Sequence, residues 1–373
     1  MLLVFYISSH GFGHATRDTE VINEILSARP DTRIVIRSRV PQWFLEQSIR
    51  GRFELQPCDT DTGMVQIDSL TIDVEATVRQ AREFYADFDA RADREAEVLR
   101  ELKPAAVIGD IPPLAFAAAA RAGVPGIAFA NFTWDWIYED YDAFRIEASE
   151  TLDVIRRGYA STTLALRLPF AGGFGAMRAV VRDTPLAARR SRLGREASRR
   201  ILGLSADRPI VLGSFGGYRA PLDFAAVARG NDITLIVTGH EMDRSRDDLD
   251  GRLRWFDRND FARYGVRYED LVAAADVVVT KPGYGIVSEC IANGAALLYT
   301  SRGHFVEHDV FVSEMPRVLR CRFIDQHDVR EGRWQESIRA LLEQPAPPDT
   351  IDTDGATVAA HAILDAAGHH RST

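Results

Sequence analysis

Cysteine is scarce in this sequence, which has three cysteines among 373 residues. Cys58, Cys290 and Cys321 are far apart, and none belongs to a C-x-x-C pair. Structural zinc sites need closely spaced thiols, and the disulfide frameworks of small secreted proteins need several paired ones. The sequence therefore favours neither kind of site, and isolated thiols suit the reducing environment of the cytoplasm.

Long hydrophobic runs are also missing. No stretch approaches the roughly 18 apolar residues that a membrane-spanning helix requires. The N-terminal run MLLVFYIS has no basic residues before it and is shorter than the apolar core of a secretory signal peptide. We therefore expect a cytoplasmic protein without a transmembrane segment.

The chain lacks an excess of positive charge. Its 45 Lys and Arg residues are outnumbered by 54 Asp and Glu residues, which gives a formal net charge of −9. Binding to a nucleic-acid backbone requires clustered positive charge, so we expect no nucleic-acid partner. Eight arginines do cluster in segment 178–200. They indicate either a solvated helix face or a contact with an anionic surface, so peripheral membrane contact stays an alternative.

What the sequence does contain is an alternation of short β-rich apolar runs with helical patterns. Such alternation is typical of parallel βαβ units. The predicted strands are 2–7, 33–36, 105–109, 126–130, 209–213, 233–238, 277–280 and 296–300. The predicted helices include 15–28, 74–102, 113–122 and 354–367. The fold class predicted is α/β, with two Rossmann-like, doubly wound parallel-sheet domains that face a cleft.

Two breaks in the pattern suggest domain boundaries. The stretch 140–207 is less regular and contains prolines, a Gly-Gly pair and the arginine-rich segment, and prolines recur at 345–348. We predict an N-terminal domain over 1–180, a linker over 181–207, a C-terminal domain over 208–348, and a final helix and tail over 349–373. Ligands of open α/β sheets bind beyond the carboxyl ends of the strands, so the loops that follow the predicted strands are the candidate sites.

The segment 281–289, KPGYGIVSE, is the most informative of these loops. Gly283 and Gly285 indicate a tight strand-to-helix turn, which points backbone N–H groups and the positive end of a helix dipole at an anion. Glu289, one turn into the helix, offers an acceptor for nearby hydroxyls. A phosphate beside a sugar diol fits this layout and predicts a nucleotide site. The alternative is an ordinary turn whose glycines only reverse the chain.

The first predicted strand leads into SSHGFGH, residues 8–14, which resembles a dinucleotide fingerprint. The third glycine position is Thr16, and the second strand ends in Arg37 instead of an acidic ribose partner. NAD binding is therefore disfavoured, although NADP binding stays an alternative because of Arg37.

His14 lies at the start of the helix that follows this loop and is a candidate general base. Such a base works best when a carboxylate holds its other ring nitrogen. Asp110 is the candidate, because it follows strand 105–109 at the same edge of the same sheet. The alternatives are that His14 is a capping or buried residue and that Asp110 caps the next helix.

Other loops supply further candidates. As residues that bind a second, acceptor molecule we predict His10 and Phe12 of the first loop. Trp134 and Trp136 would stack on the sugar or apolar face of that molecule. The alternatives are a loop-shaping role for His10 and burial of a domain seam by the tryptophans. The donor-binding candidates are Gly13, Ser214, Gly216, Gly217, His240, Lys281, Gly283, Tyr284, Gly285, Ser288, Glu289, His304, Glu307 and His308. His240 could instead cap its strand, and the last three could belong to a surface network.

Metal binding is disfavoured. Asp59-Thr-Asp61 has the Asp-x-Asp spacing that some transferases use to hold a divalent ion on a nucleotide sugar, but no supporting ligands adjoin it. No G-x-x-x-x-G-K-[ST] phosphate loop occurs either. We predict no metal and no cofactor, with the nucleotide sugar as a co-substrate.

With both halves considered, the chain resembles the GT-B glycosyltransferases, particularly the plant-type UDP-sugar transferases and the MurG-like branch. The plant-type signature H-C-G-W-N-S-x-x-E has the spacing of residues 281–289. The resemblance implies that Glu289 binds ribose hydroxyls and that the glycine turn holds the diphosphate, with Lys281 in place of a phosphate-binding histidine. It likewise matches the catalytic Gly-x-Gly-His loop to residues 11–14 and the orienting aspartate to Asp110. An acidic-Gln pair for the donor sugar looks like Glu307 and His308, displaced by about two residues.

A closer resemblance is to the glycosyltransferase-like N-terminal region of L-arabinokinases. It rests on SHGFGHATR at 9–17, NFTWDWIY at 131–138 and PLAARR at 185–190. Together these resemblances imply inverting, metal-independent transfer of a sugar from a nucleoside diphosphate, UDP above all, to a hydroxyl of a small-molecule or glycan acceptor. The alternatives are a non-catalytic protein that binds nucleotide sugars or acts as a regulator, and a UDP-sugar epimerase.

Overall fold

The structure is a computed structural model that describes residues 1–68, 71–215, 222–238, 251–301 and 303–370. The elements up to residue 183 are β1 (Leu2–Ile7), α1 (Gly13–Ala28), β2 (Arg33–Arg37), α2 (Gln42–Ser48), β3 (Glu54–Gln56), β4 (Gln66–Asp68), β5 (Thr71–Ile72), α3 (Val74–Ala86), α4 (Phe88–Leu102), β6 (Ala106–Asp110), α5 (Pro113–Ala122), β7 (Gly126–Phe132), α6 (Trp134–Glu139), α7 (Asp142–Glu147), α8 (Ser149–Ala160), β8 (Leu164–Gly172), a 3₁₀ helix (Gly175–Val180) and β9 (Val181–Asp183).

The remaining elements are α9 (Gly194–Ile201), β10 (Ile210–Gly213), α10 (Phe224–Gly230), β11 (Thr234–Thr238), β12 (Leu253–Phe256), α11 (Arg258–Tyr264), α12 (Tyr268–Ala274), β13 (Val277–Thr280), α13 (Tyr284–Asn293), β14 (Ala296–Tyr299), α14 (Val306–Val318), β15 (Cys321–Phe323), α15 (Gln326–Arg330), α16 (Gln335–Leu342) and α17 (Gly355–His370). No helix in the described part of the chain has the length and apolar character needed to cross a membrane.

Two parallel sheets carry the fold, as the sequence predicts. Their strand orders are β3-β2-β1-β6-β7-β8-β9 and β12-β11-β10-β13-β14-β15. In each sheet the first strand lies between its sequence neighbour and a strand from a later unit, so the order reverses beside β1 and again beside β10. Such reversal points leave a crevice beyond the strand ends, where ligands of doubly wound sheets bind.

The strands form because their residues are apolar on both faces, as buried parallel sheets require. All six residues of β1 and all four of β10 are buried. The helices cover the sheets with their apolar sides, and the buried residues extend through both sheets as connected hydrophobic clusters.

The predicted single helix over 74–102 is wrong, because the structure has two helices with a break at Asp87. The backbone of Asp87 is not helical (φ −110°, ψ 27°), and its carboxylate accepts a hydrogen bond of 2.7 Å from Arg91 Nε. Aspartate also has a low helix propensity and so tends to end helices. The break lets Phe88 enter the core.

The stretch 140–207 is more regular than predicted. It contains α7, α8, β8 and β9, and β8 pairs in parallel with the buried strand β7. Pro169 and Gly172 in β8 mimic a loop in the sequence, but pairing with neighbouring strands overrides that local signal. β9 falls inside the segment predicted as linker and extends the first sheet by pairing with β8.

The C-terminal helix α17 returns to the first sheet. Thr357 Oγ1 donates to Glu24 Oε2 of α1 at 3.3 Å, and the preceding chain pairs with the connecting segment, where Leu186 N donates to Asp352 O at 2.9 Å. Gly355 lies so close to that segment that a Cβ built there would be 2.1 Å from Pro185 O. The crossing therefore depends on a glycine at this position.

We predict that Gly355→Ala lowers the free energy of unfolding by about 1–3 kcal/mol, the usual cost of forcing an extra methyl group into a packed site. Urea denaturation measures the change. Gly368→Ala in the same helix is the matched control, because a Cβ there meets no heavy atom within 4 Å. The control should leave stability unchanged or slightly higher, since alanine is the better helix former. Equal stability of both variants would contradict the predicted steric constraint.

Candidate functional site

A cavity of about 1080 Å³ lies between the carboxyl ends of the two sheets and is lined by residues from both. The loops after β1 and β13 meet there, and a Cβ built on Gly285 would lie 3.4 Å from Gly13 Cα. The structure brings these sequence-predicted residues to its wall: His10, Phe12, Gly13, His14, Ser214, Lys281, Gly283, Tyr284, Gly285, Glu289 and Glu307.

His14 and Asp110 meet where β1 and β6 end side by side. His14 Nδ1 lies 2.8 Å from Asp110 Oδ1, and both side chains are almost completely buried. Burial raises the pKa of Asp110, but the neighbouring Arg17 and His14 outweigh that effect and hold this pKa below its ordinary value. An ionised carboxylate accepts the Nδ1 proton, which leaves His14 Nε2 as the basic nitrogen. The helix-cap alternative for Asp110 is wrong, because Pro112 occupies the N-cap of α5.

Arg17 is a site residue that the sequence reasoning missed. Its Nε donates to Asp110 Oδ2 at 2.5 Å, its Nη2 donates to Asp110 Oδ1, and its Nη1 donates to Asn131 Oδ1 at 2.5 Å. Asn131 in turn donates through Nδ2 to Glu307 Oε1 at 2.9 Å. The available signal was the three-residue spacing from His14, which places both side chains on one face of α1.

Glu289 on α13 is paired with a second arginine that the sequence reasoning did not assign to the site. Arg189 Nε donates to Glu289 Oε1 at 2.7 Å, and its guanidinium lies 5.3 Å from the ring centre of Tyr268. Burial raises the pKa of Glu289 to about 7, although Arg189 opposes that shift. Tyr268 also contacts Ser214, with the two hydroxyl oxygens 2.5 Å apart. The carboxylate of Glu289 therefore lies at the cavity wall and is already paired with the guanidinium of Arg189.

Lys281 extends from the end of β13 to the first sheet's side of the cavity. Its Nζ donates to Gln66 Oε1 at 3.1 Å, and Gln66 Nε2 lies 3.3 Å from His10 Nε2. His10 Nδ1 accepts from Met64 N at 3.2 Å. The lysine and the first loop thus border the same part of the cavity, next to His14.

The acceptor-stacking prediction for the two tryptophans is corrected by their positions. Trp134 is fully buried beneath the loop, where its Nε1 donates to Asp61 Oδ2 at 2.9 Å and its ring contacts that of His14. The ring of Trp136 covers Gly172, where an added Cβ would lie 2.2 Å from it. Neither ring lines the cavity. The sequence places both on a loop at the correct sheet edge but cannot tell which side of the loop they occupy.

Some predicted donor-binding residues also lie away from the cavity wall. Ser288 donates through Oγ to Gly285 O of its own helix at 2.9 Å, so it supports the turn from behind. His304 is exposed and its Nε2 lies 2.6 Å from Asp140 Oδ2. His308 is buried with its ring against Tyr299. Gly216, Gly217 and His240 fall outside the described residues.

The Asp-x-Asp pair is split between two environments. Asp59 is exposed and accepts from Arg39 Nε at 2.9 Å, whereas Asp61 is held by Ser8 Oγ at 3.0 Å and by Trp134. Burial raises the pKa of Asp61 to about 6. Across the described ranges, no three or more His, Cys, Asp or Glu side chains are grouped so as to hold a metal ion.

Among known proteins, no family model matches the chain. The chain is 28% identical over 385 aligned residues to L-arabinokinase of Arabidopsis thaliana, an alignment that covers 99% of this chain and 35% of that protein. It is 30% identical over 192 residues to the UDP-N-acetylglucosamine--N-acetylmuramyl-(pentapeptide) pyrophosphoryl-undecaprenol N-acetylglucosamine transferase of Clavibacter michiganensis subsp. michiganensis, covering 50% of this chain and 47% of the relative. The chain thus spans less than half the length of these curated relatives.

Solved structures extend the likeness to both sheets at once. The crystal structure of the kitacinnamycin glycotransferase superimposes with a TM-score of 0.62 at 17% sequence identity, and the match covers 98% of each chain. A likeness over the whole length requires both domains and their mutual arrangement to correspond. The chain therefore has the two-domain fold of the GT-B glycosyltransferases, in agreement with the resemblance seen in its sequence.

Proposed function

We propose that this chain is a cytoplasmic, metal-independent glycosyltransferase that moves a sugar from a nucleoside diphosphate to a hydroxyl of a small-molecule or glycan acceptor. The observation that carries the proposal is the His14–Asp110 pair, which faces the turn 281–285 across the cavity between the sheets. UDP is the expected nucleotide, because the Clavibacter relative is named for a UDP-sugar and because the spacing of 281–289 matches the plant-type signature.

The base is His14. Its Nε2 takes the proton of the acceptor hydroxyl as that oxygen bonds to the anomeric carbon and the bond from that carbon to the diphosphate breaks. Asp110 stabilises the imidazolium that results, because its ionised carboxylate lies 2.8 Å from Nδ1. A single displacement of this kind inverts the configuration of the anomeric carbon. The nucleoside diphosphate leaves with the electron pair.

The charge that develops on the leaving diphosphate is balanced by the second sheet's loops. The turn before α13 directs backbone N–H groups and the positive end of a ten-residue helix toward the cavity. The ammonium group of Lys281 adds a positive charge at the same end. Donors that are in place before the reaction stabilise a transition state without further reorganisation.

Glu289 accepts hydrogen bonds from the ribose hydroxyls, as the resemblance to the plant-type signature implies. Arg189 holds its Oε1, which fixes the carboxylate and favours the ionised form. Because burial raises the pKa of this group to about 7, the ionised fraction grows as the pH rises through neutrality.

A second function is a non-catalytic module that binds a nucleotide sugar. It is favoured by one observation, which is that nearly the whole chain matches 35% of a longer kinase. The two functions differ in product formation. A binding module would retain the nucleotide sugar intact, whereas the proposed enzyme releases a nucleoside diphosphate and a glycosylated acceptor.

We predict that His14→Ala reduces turnover by roughly 10²–10⁴-fold, the usual contribution of general-base assistance, and leaves the dissociation constant for UDP nearly unchanged. The reason is that the imidazole acts on the acceptor. Turnover is measured by product formation and affinity by calorimetry. His304→Ala is the matched control, because His304 is exposed and bonded to Asp140. If His14→Ala retained wild-type turnover, His14 would not be the base.

We predict that UDP binds more tightly as the pH rises from about 6 to 8, because Glu289 ionises over that range. Glu289→Gln keeps the shape of the side chain and should remove this part of the pH dependence, with a loss at pH 8 of about 1.5–3 kcal/mol for a charge-assisted bond. Calorimetry is carried out on both proteins at each pH, and the difference between their affinities is free of the contribution from the titration of UDP itself. Parallel curves for the two proteins would exclude ribose binding by an ionised Glu289.

Chelation should leave turnover intact. If the helix N-terminus, the N–H groups and Lys281 balance the diphosphate, no divalent ion is needed. The assay compares activity after exhaustive EDTA treatment with activity after addition of magnesium or manganese. A complete loss of turnover that added metal restores would contradict the proposed mechanism. It would instead favour a divalent ion that Asp59 or Asp61 holds on the diphosphate.

A further inference from the structure

Arg17 is a buried cation that the proposed chemistry does not use. It lies one turn after His14 on α1, with 2% of its side chain exposed. Burying a guanidinium is costly unless its donors are bonded, and here Nε and both Nη atoms have acceptors on Asp110 and Asn131. A residue held at this cost within reach of the base is a candidate for a role in the site.

The guanidinium fixes the rotation of the Asp110 carboxylate. Arg17 Nε bonds Oδ2 and Nη2 bonds Oδ1, so the planar fork grips both oxygens. Two parallel bonds of this kind define a carboxylate plane more strictly than a single contact would. The oxygen that faces His14 Nδ1 is therefore set by Arg17, and Nη2 itself lies 3.1 Å from Nδ1.

The same arginine contacts the second sheet's side of the cavity. Its Cζ lies 4.9 Å from the ring centre of Tyr284, the first residue of α13. Through Asn131 it is also connected to Glu307, in the first turn of α14. Because Asn131 donates to Glu307 through Nδ2, the amide is turned so that Oδ1 faces Arg17. A continuous set of contacts thus runs from His14 through Asp110, Arg17 and Asn131 to the other domain.

We propose that Arg17 is a positioning residue that makes the orientation of the His14–Asp110 pair depend on the contact between the two domains. When the domains are in contact, the 2.9 Å bond to Glu307 adds to the longer 3.4 Å bond from Asn131 Nδ2 to Phe170 O of the first sheet in orienting Asn131. Asn131 and Tyr284 then hold Arg17, and Arg17 holds the carboxylate. Separation of the domains removes the Glu307 and Tyr284 contacts together. The base is then aligned for the acceptor only in the closed arrangement, in which the donor sugar and the acceptor lie side by side. This inference rests on the proposed function insofar as the aligned pair acts on an acceptor.

Charge provides an independent readout. The charged or titratable groups that face Asp110 are His14, Arg17 and Asp18 of α1, Asp61 of the loop after β3, and Tyr284 of α13. Asp18 is buried and Asp61 is partly buried, and burial, together with the charge of Asp110, raises the pKa of both, so these carboxyl groups and Asp110 disfavour one another's negative charge. Loss of the Arg17 cation should therefore raise the pKa of Asp110. The acidic limb of the turnover profile should move to higher pH.

The test compares Arg17→Lys, which keeps the charge and loses the fork, with Arg17→Gln, which loses both, and with Asn131→Ala, which removes the bridge and leaves Arg17 in place. We expect each to lower kcat by roughly 10–100-fold, in line with a displaced catalytic group, with little change in the dissociation constant for UDP. Only Arg17→Gln should shift the acidic limb. Arg29→Gln, an exposed change at the end of α1, is the control.

A second measurement separates this inference from the proposed function. Long-range ¹H–¹⁵N spectra of the His14 ring report which nitrogen carries the proton, with no need for turnover. A changed His14 ring spectrum in Arg17→Lys and Asn131→Ala supports positioning by Arg17 even if the wild-type protein transfers no sugar. Absence of sugar transfer would contradict only the proposed function. If the wild-type protein is active and the folded Asn131→Ala variant keeps both its kcat and its ring spectrum, the inference is overturned. Should Arg17→Gln not fold, the other two variants decide.

Discussion

The burial of one negative charge, on Asp110, organises this molecule. A carboxylate removed from water at the end of a central strand must be paired with cations and donors, or it will not stay ionised. Here the partners are His14 and Arg17, both from the first turns of α1. The requirement therefore fixes the start of that helix against the end of β6, which is where the sheet order reverses and a crevice opens.

The same requirement joins the two domains. Arg17 needs further acceptors, and it finds one in Asn131, whose amide group is held in turn by Glu307 of α14. On the opposite wall, the buried carboxylate of Glu289 is held by Arg189, which comes from the segment that connects the sheets. Each domain thus has a buried carboxylate at its cleft whose pairing involves an arginine. The loops after β1 and β13 meet between these two pairs, where a Cβ built on Gly285 would lie 3.4 Å from Gly13 Cα.

This arrangement is the structural basis of the two-substrate chemistry that we propose for the cavity. In the proposed reaction, His14 faces the acceptor from the first sheet, and N–H groups with a helix dipole and Lys281 face the diphosphate from the second. The aromatic residues of segment 131–138 serve the site indirectly. Trp134 lies beneath the first loop and holds Asp61, so its bulk supports His10 and His14 from below.

The sequence by itself determined the architecture. Strands such as Leu2–Ile7 and Val277–Thr280 are short apolar runs bounded by turn residues, and their bounds agree with the prediction. That signal is local, because a strand buried on both faces must be apolar along its whole length. The position of His14 opposite Asp110 also followed, since the carboxyl ends of parallel strands share one edge. Where pairing partners decide the structure, as in β8 with its proline and its glycine, the local signal failed.

Only the tertiary structure decided which polar groups hold one another. Arg17, Asn131 and Arg189 lie 93, 176 and 100 positions from their partners Asp110, Glu307 and Glu289, and no local pattern relates residues so far apart. The direction of the Trp134 and Trp136 side chains was equally undetermined, because a loop residue at the correct sheet edge can turn toward the cavity or away from it. Sequence periodicity fixes which face of a strand or helix is buried. The packing of one element on another fixes which charge meets which, and it is that pairing which positions His14 in this cleft.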